Sequence, residues 1–212
     1  MNSGESSPLL RHVERFGLTT TNAVEKIWKE RGLETLQAHL ESGELAICDH
    51  LEGGATVFER REQGPPVNQG VRIQRLLWLS FCVLGSTERR PITSQKLRSV
   101  YHDFTSGARH CTQVGDNALI WRAFFPTSHR ADIQTARHIR QAYLHALRRL
   151  PKDSAFRALV TGGRYGFAVV MTDEKRASQL SSLLRERPLP DEVPILVEVI
   201  PEGHFKSIVS AG

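Results

Sequence analysis

The first 60 or so residues change from one hydrophobic period to another. Apolar residues first recur three or four positions apart, which is the spacing of buried positions on helices. Three helices are predicted, at residues 9–16, from a Thr19–Thr21 cap to a break at Gly32, and at residues 33–42. The pattern then shortens to that of two strands at residues 44–51 and 55–59, joined by the turn-forming Glu52-Gly53-Gly54. This region is therefore predicted to form three helices and a β-hairpin.

The rest of the chain is predicted to alternate between helices and strands. Helices are expected at residues 72–83, 96–104, 131–150 and 173–185. Strands are expected at residues 118–125, 157–161, 165–172 and 195–200. Segments 85–94 and 105–113 are predicted to be loops, and the glycine-rich segment 162–166 is predicted to be a hairpin turn. Strands that alternate with helices predict a small α/β unit.

Residues 63–70 (QGPPVNQG) read as a proline- and glycine-rich linker between two domains. Before it, the stretch GLETLQAHLESGELAICDHLEGGATVFERRE contains a helix, a strand, a Gly-Gly turn and a second strand in that order. This order resembles a winged helix-turn-helix. We expect a disordered tail at residues 1–7, a winged helix domain at 8–62 and an α/β domain at 71–212, so the predicted fold class is α+β.

Charge is distributed unevenly along the 212 residues, whose net charge is +5. Residues 1–68 hold 7 Lys and Arg against 11 Asp and Glu, a net charge of −4. Residues 69–150 hold 13 against 4, a net charge of +9, and residues 151–212 are neutral. A basic segment between acidic and neutral ones predicts a polyanionic partner for the middle of the chain.

The predicted winged helix presents residue types that read DNA. The second helix of a helix-turn-helix enters the major groove, and here its buried leucines leave Thr35 and Gln37 facing outward. A glutamine side chain can pair with adenine. The DNA-contacting residues expected in this domain are Thr20, Thr21, Glu34, Thr35, Gln37, Ala38, Arg60 and Arg61.

The negative charge of this domain requires additional cations, because contacts to phosphates supply much of the affinity for DNA. The basic middle segment is expected to provide them. The candidate phosphate-contacting residues there are Arg72, Arg75, Arg89, Arg90, Lys96, Arg98 and Arg109.

The chain resembles the replication-relaxation or mobilisation accessory proteins of plasmids and integrative elements. The resemblance is carried by Leu18–Glu62 in the first domain and by Ala118–Pro126 with Arg157–Pro201 in the second. It implies a winged helix that binds double-stranded DNA and a second domain related to nucleases that lacks their metal ligands. A non-enzymatic, sequence-specific DNA-binding protein is therefore expected, either a transcription regulator or a conjugative-transfer factor of a mobile element.

Two other functions remain open. One is a magnesium-dependent nuclease or relaxase-like enzyme with Asp191 and Glu198 as metal ligands, although Ile200 stands where restriction-endonuclease-like strands carry a lysine. The other is a protein–protein adaptor that uses the winged helix without DNA. A homodimer and a relaxase or other transfer protein are further candidate partners.

Neither a cofactor nor a metal ion is expected, because the His and Cys residues match no standard ligand spacing. The N-terminus lacks a secretion signal, and no apolar run approaches the roughly 20 residues of a membrane span. Three widely spaced cysteines are typical of a reducing compartment. We therefore expect a cytoplasmic protein with no membrane partner.

Overall fold

The computed structural model describes residues 6–61, 67–104, 107–115, 119–126, 128–190 and 193–201. They form two compact units: unit 1 contains the described residues up to Gly85 together with Pro201, and unit 2 contains those from Ser86 to Ile200. Within the described residues there are eight α-helices and two β-sheets, so the predicted α+β class is confirmed. Residues 1–5 of the predicted tail and 63–66 of the predicted linker lie outside the described residues.

Unit 1 combines helices with a small antiparallel sheet whose strand order is β1-β3-β2. Its elements are α1 (Pro8–Phe16), β1 (Thr19–Thr20), α2 (Thr21–Trp28), α3 (Glu30–Glu41), β2 (Leu45–His50), β3 (Thr56–Arg60), α4 (Gln69–Leu79) and a π-helix (Ser80–Leu84). The core of the unit contains Leu9, Leu10, Val13, Val24, Leu36, Leu45 and Phe58. The helices and the hairpin thus bury the residues that recur at helical and strand spacing.

The turn between α2 and α3 lies three residues earlier than the sequence predicts. Lys29 adopts a positive φ of 56° there, and Gly32 lies inside the first turn of α3 instead of ending α2. A Cβ atom on Gly32 would come within 2.8 Å of side-chain atoms of Val24 and Trp28. Glycine is therefore required at this position because α2 and α3 pack closely, and its role as a helix breaker was wrongly predicted.

Helix α4 belongs to unit 1, although residues 71–85 were assigned to the second domain from the sequence. The Asn68 side chain caps the helix by accepting from the backbone N–H of Gly70, so the end of the predicted linker is helical. Trp78 packs against Phe16 with ring centroids 6.2 Å apart. Apolar contacts with α1 therefore tie α4 to unit 1.

Unit 2 is built on a five-stranded mixed sheet of order β4-β5-β6-β7-β8. Its elements are β4 (Arg89–Ile92), α5 (Ser94–Val100), β5 (Arg109–Gln113), β6 (Ile120–Phe124), α6 (His129–Arg149), α7 (Ala155–Thr161), β7 (Tyr165–Met171), α8 (Glu174–Glu186) and β8 (Ile195–Val199). Strands β4, β5 and β6 pair antiparallel, and β6, β7 and β8 pair parallel. The core between one face of the sheet and the helices includes Leu97, Phe104, Ile139, Tyr143, Leu159, Phe167 and Leu180.

Two kinds of element in unit 2 were wrongly predicted. Strands β4 and β5 occupy segments expected to be loops, because their arginines, histidine and proline conceal the apolar alternation of strands. Residues 157–161, predicted as a strand, lie in α7, which the Ser154 side chain caps. The segment 162–166 is accordingly not a hairpin turn: Gly163, with a φ of 67°, leads from α7 into β7.

Candidate nucleic-acid interface

Helix α3 brings several predicted DNA-contacting residues onto one exposed surface. Glu34, Gln37 and Ala38 are exposed, and Gln37 Nε2 donates to Glu41 Oε1 at 2.8 Å. Thr35 is half-buried, and its hydroxyl donates to the backbone carbonyl of Arg31 at 2.8 Å. The base-reading groups predicted for α3 are therefore accessible, but two of them already have partners on the helix.

Thr20 and Thr21, at the start of α2, use their hydroxyls in hydrogen bonds within unit 1. The hydroxyl of Thr20 is buried and accepts from the backbone N–H of Ala23, which caps α2. The hydroxyl of Thr21 accepts from the backbone N–H of Thr56 on β3. These hydroxyls hold α2 in place beside the hairpin.

The exposed charges on and beside α3 sum to a negative value. Exposed Lys29 and Arg31 stand against exposed Glu30, Glu34 and Glu41. The tip of the hairpin adds exposed Glu52. Since phosphate neutralisation needs an excess of cations, this surface lacks the main electrostatic component of DNA affinity.

Arg60 and Arg61 lie at the end of the hairpin remote from its glycine turn. Arg60 is opposite Leu45, where β2 begins, and its guanidinium forms an ion pair with Glu14 of α1. The backbone N–H of Arg61 donates to the carbonyl of Glu44 at 3.1 Å. Neither arginine is at the tip of the hairpin, so any contact that they make with DNA comes from the base of the hairpin.

Arg72 and Arg75, two of the predicted phosphate contacts, face carboxylates within unit 1. Arg72 Nη1 lies 3.7 Å from Asp49 Oδ2, and its Nε lies 3.5 Å from Glu59 Oε1. Arg75 Nη1 donates to the carbonyl of Gly17 at 3.1 Å and lies 4.0 Å from the same Glu59 oxygen. Much of the positive charge of α4 is therefore balanced inside the unit.

Arg89 forms a buried ion pair that joins the two edge strands of the unit 2 sheet. Its Nη2 donates to Glu198 Oε2 at 2.9 Å, and its side chain is 5% exposed. In a flat sheet β4 and β8 would be about 19 Å apart, since strand spacing is about 4.8 Å. The sheet must therefore be strongly curled. The same contact holds Glu198, the proposed metal ligand, beside a guanidinium, while Asp191 lies outside the described residues.

The other cations predicted near β4 have different surroundings. Exposed Arg90 pairs with Glu88, and the Arg109 guanidinium lies 5.4 Å from the centroid of the Phe125 ring. Lys96 and Arg98 are exposed on α5. The predicted set thus does not form one cationic surface within either unit.

Helix α6 carries a row of exposed arginines that are not among the predicted DNA contacts. We define the arginine face as Arg130, Arg137, Arg148 and Arg149, all of which are exposed. Spacings of seven and eleven residues place the first three on one side of the helix. They span about 27 Å, close to the rise of eight base pairs of DNA. Among the described residues, none of the four forms an ion pair.

The only carboxylate in the 21 residues of α6 is turned away from this face. Asp132 is 1% exposed and accepts from Arg176 Nε at 2.9 Å and from its Nη2 at 2.7 Å. The remaining arginine of the helix, Arg140, donates to the backbone carbonyls of Leu183 and Arg187. The exposed side of α6 is consequently cationic along its length. The sequence already contains a signal for this surface, because the predicted helix has five arginines and only one acidic residue.

No protein-family model, curated protein or solved structure matches this chain. Function is therefore inferred from geometry and charge alone. None of the helices in the described part of the chain is long and apolar enough to cross a membrane. Across the same residues, no three His, Cys, Asp or Glu side chains are grouped so that they could hold a metal ion.

Proposed function

We propose that the protein is a non-enzymatic, sequence-specific double-stranded DNA-binding protein that acts as a transcription regulator or as a conjugative-transfer accessory factor of a mobile element. The observation that carries the proposal is the arginine face of α6, where four exposed guanidinium groups lie along about five turns of helix without a neighbouring ion pair among the described residues. Such a row offers a series of cations along one helix to the phosphates of a duplex.

The order of elements in unit 1 supports the assignment of the reading helix. Three helices, a β-hairpin and the strand order β1-β3-β2 are typical of a winged helix-turn-helix. In that arrangement α3 enters the major groove, and its exposed Gln37 can form two hydrogen bonds with an adenine edge. Base reading is thus assigned to α3 and phosphate binding to the arginine face of α6.

The salt dependence of DNA affinity tests the role of the arginine face. The double variant Arg137→Gln/Arg148→Gln removes two phosphate contacts, so the slope of log affinity against log salt should become shallower by about 1.8. Affinity for random-sequence duplex should fall about tenfold at moderate salt. Fluorescence anisotropy with a labelled duplex measures both quantities.

A matched control removes the same charge from arginines that have carboxylate partners. The double variant Arg60→Gln/Arg90→Gln loses two exposed cations that pair with Glu14 and Glu88. Its slope and affinity should stay close to wild type. If this control loses affinity while Arg137→Gln/Arg148→Gln does not, the phosphate contacts lie where the sequence first placed them and the role of α6 is wrong.

The net negative charge of α3 favours a second candidate, a protein–protein adaptor built on unit 1. Selection of bound fragments from a random duplex pool, followed by sequencing, separates the two functions. In a DNA reader, Gln37→Ala should relax the base preference at one position of the selected motif without a general loss of affinity. An adaptor would select no motif, and Gln37→Ala would then change nothing in the bound pool.

A further inference from the structure

A cavity of about 480 Å³ opens between α6, α7 and the helix-covered face of the sheet in unit 2. Its polar lining comes from Arg122 on β6 and from His138, Gln141 and His145 on α6. Phe156, Tyr165 and Phe167 contribute aromatic rings to its wall. The volume and the combination of apolar walls with a few converging polar groups are those of a small-molecule site.

Arg122 gives this cavity a fixed positive charge. The residues that line it include no carboxylate, and among the described residues the buried Nε of Arg122 has no hydrogen-bond partner. The guanidinium lies 5.1 Å from the centroid of the Phe124 ring. A partly buried guanidinium with an unused donor is costly unless an anion approaches it.

The hydroxyl of Tyr165, which lines the cavity, does not supply that anion. His110 Nδ1 donates to the carbonyl of Ala108 at 2.7 Å, so its Nε2 accepts from the Tyr165 hydroxyl at 2.9 Å. Burial raises the pKa of Tyr165, while the charge of Arg122 and a hydrogen bond with the Arg122 side chain oppose the shift, and the phenol stays protonated. His110 and Tyr165 are thus both neutral, so neither of them balances the positive charge of Arg122.

We propose that this cavity binds a phosphate monoester of nucleotide size, with the phosphate on Arg122, His138 and His145 and the ring system against Phe156 and Tyr165. The donors of one guanidinium, two imidazoles and the Gln141 amide outnumber the two oxygens of a carboxylate and fit the three free oxygens of a phosphate monoester. The aromatic wall provides a surface for a planar base. The ligand is either a free nucleotide or the phosphorylated end of a nucleic-acid strand.

Calorimetric titration of the full chain with AMP, adenosine and inorganic phosphate tests the proposal. AMP should bind at least about tenfold more tightly than adenosine and should raise the melting temperature of the protein, as any ligand of the folded state does. Arg122→Gln should weaken AMP binding by at least about tenfold, and Arg122→Lys should recover part of it because the charge remains without the planar fork. Equal binding of AMP and adenosine, or no binding of AMP at millimolar concentration, would overturn the proposal.

Variants at exposed positions of α6 test the same site if Arg122→Gln does not fold. His138→Ala/His145→Ala should weaken AMP binding, whereas Gln134→Ala, also exposed on α6 but outside the cavity lining, should bind AMP as wild type does. Wild-type affinity in the histidine variant would contradict the site.

A separate competition identifies the source of the phosphate. A 5′-phosphorylated oligonucleotide that displaces AMP when its 5′-hydroxyl counterpart does not would assign the site to strand ends. Failure of both to compete would assign it to free nucleotides. The variant Arg137→Gln/Arg148→Gln should still bind AMP. A result that contradicts DNA binding by α6 therefore does not contradict the nucleotide site, and a failure to bind AMP does not contradict DNA binding.

Discussion

The arginines of β3 and α4 in unit 1 differ from the exposed arginines of α6 in unit 2 in what they contact. Unit 1 pairs three arginines with carboxylates from other elements: Arg60 with Glu14, and Arg72 and Arg75 with Glu59. In unit 2 the arginine face of α6 meets no carboxylate of the described residues, because the single acidic residue of that helix, Asp132, is buried against Arg176. A surplus of cations in a segment therefore produces a free positive surface only where folding places no carboxylate beside it.

The inward pairing of Asp132 should have the largest effect on stability. Asp132→Asn removes the charge from a buried two-point contact with Arg176 and should lower the free energy of unfolding by about 3–5 kcal/mol, the usual cost of breaking a buried ion pair. Urea denaturation followed by circular dichroism measures the change. Asp153→Asn, which alters an exposed residue just after α6, should stay within about 0.5 kcal/mol of wild type. A loss below about 1 kcal/mol in Asp132→Asn would mean that the pair does not hold α6 in place.

Acid should weaken both units through one histidine in each, half-buried His12 in unit 1 and buried His110 in unit 2. Burial, followed by the charge of Arg15, lowers the pKa of His12 to about 4. Burial also lowers the pKa of His110 to about 4, with the Ala108 carbonyl opposing the shift and Arg122 adding to it. Both folded-state values lie below the ordinary 6.5, so the stabilising effect of the neutral form is complete above pH 6.5 and is lost as the pH falls towards 4.

This loss should reach up to roughly 3 kcal/mol for each histidine, since one pKa unit corresponds to about 1.4 kcal/mol. Urea unfolding at a series of pH values, read from backbone NMR signals of each unit, measures it separately in the two regions. His12→Asn should flatten the pH dependence of unit 1, and His110→Asn that of unit 2. A free energy of unfolding that stays constant between pH 6.5 and 4 in the wild type would contradict the buried neutral state of both residues.

The smallest effect is expected at Arg72. Its two carboxylate contacts are long, at 3.7 and 3.5 Å, and its side chain is still 21% exposed, so Arg72→Gln should lower the free energy of unfolding by only about 1 kcal/mol. Its affinity for duplex DNA should not change, because its charge is already balanced by Asp49 and Glu59. A large loss of DNA affinity in this variant would remove the contrast between the arginines of α4 and those of α6.

Local sequence patterns were sufficient to predict most of the helices and strands of unit 1. The apolar spacing of α1 and α2, the leucines of α3 and the Gly53-Gly54 turn each act within a few residues, so helices and hairpin are legible in the sequence. The boundary between α2 and α3 could not be read from the sequence, because Gly32 is required by its contact with Val24 and Trp28 and not by a turn. A glycine that permits close packing and one that ends a helix look alike in a sequence.

The candidate site was predictable in its charge and not in its location. The net charge of +9 over residues 69–150 and the near absence of acidic residues in α6 are properties of composition. Which arginines remain free depends on partners far along the chain, as when Arg89 meets Glu198, 109 residues away. The cavity around Arg122 could not be predicted from the sequence either, because its lining combines residues from β6, α6, α7 and β7.

The sequence by itself determined the α+β class, most of the helices and the uneven distribution of charge, since each depends on the period or the count of neighbouring residues. Tertiary structure alone decided that β4 and β5 are strands, that α4 joins unit 1, and that α6, rather than α4 or β4, exposes its arginines. These outcomes depend on strand pairing and on ion pairs between distant residues, whose energies come from contacts that no local window of sequence contains.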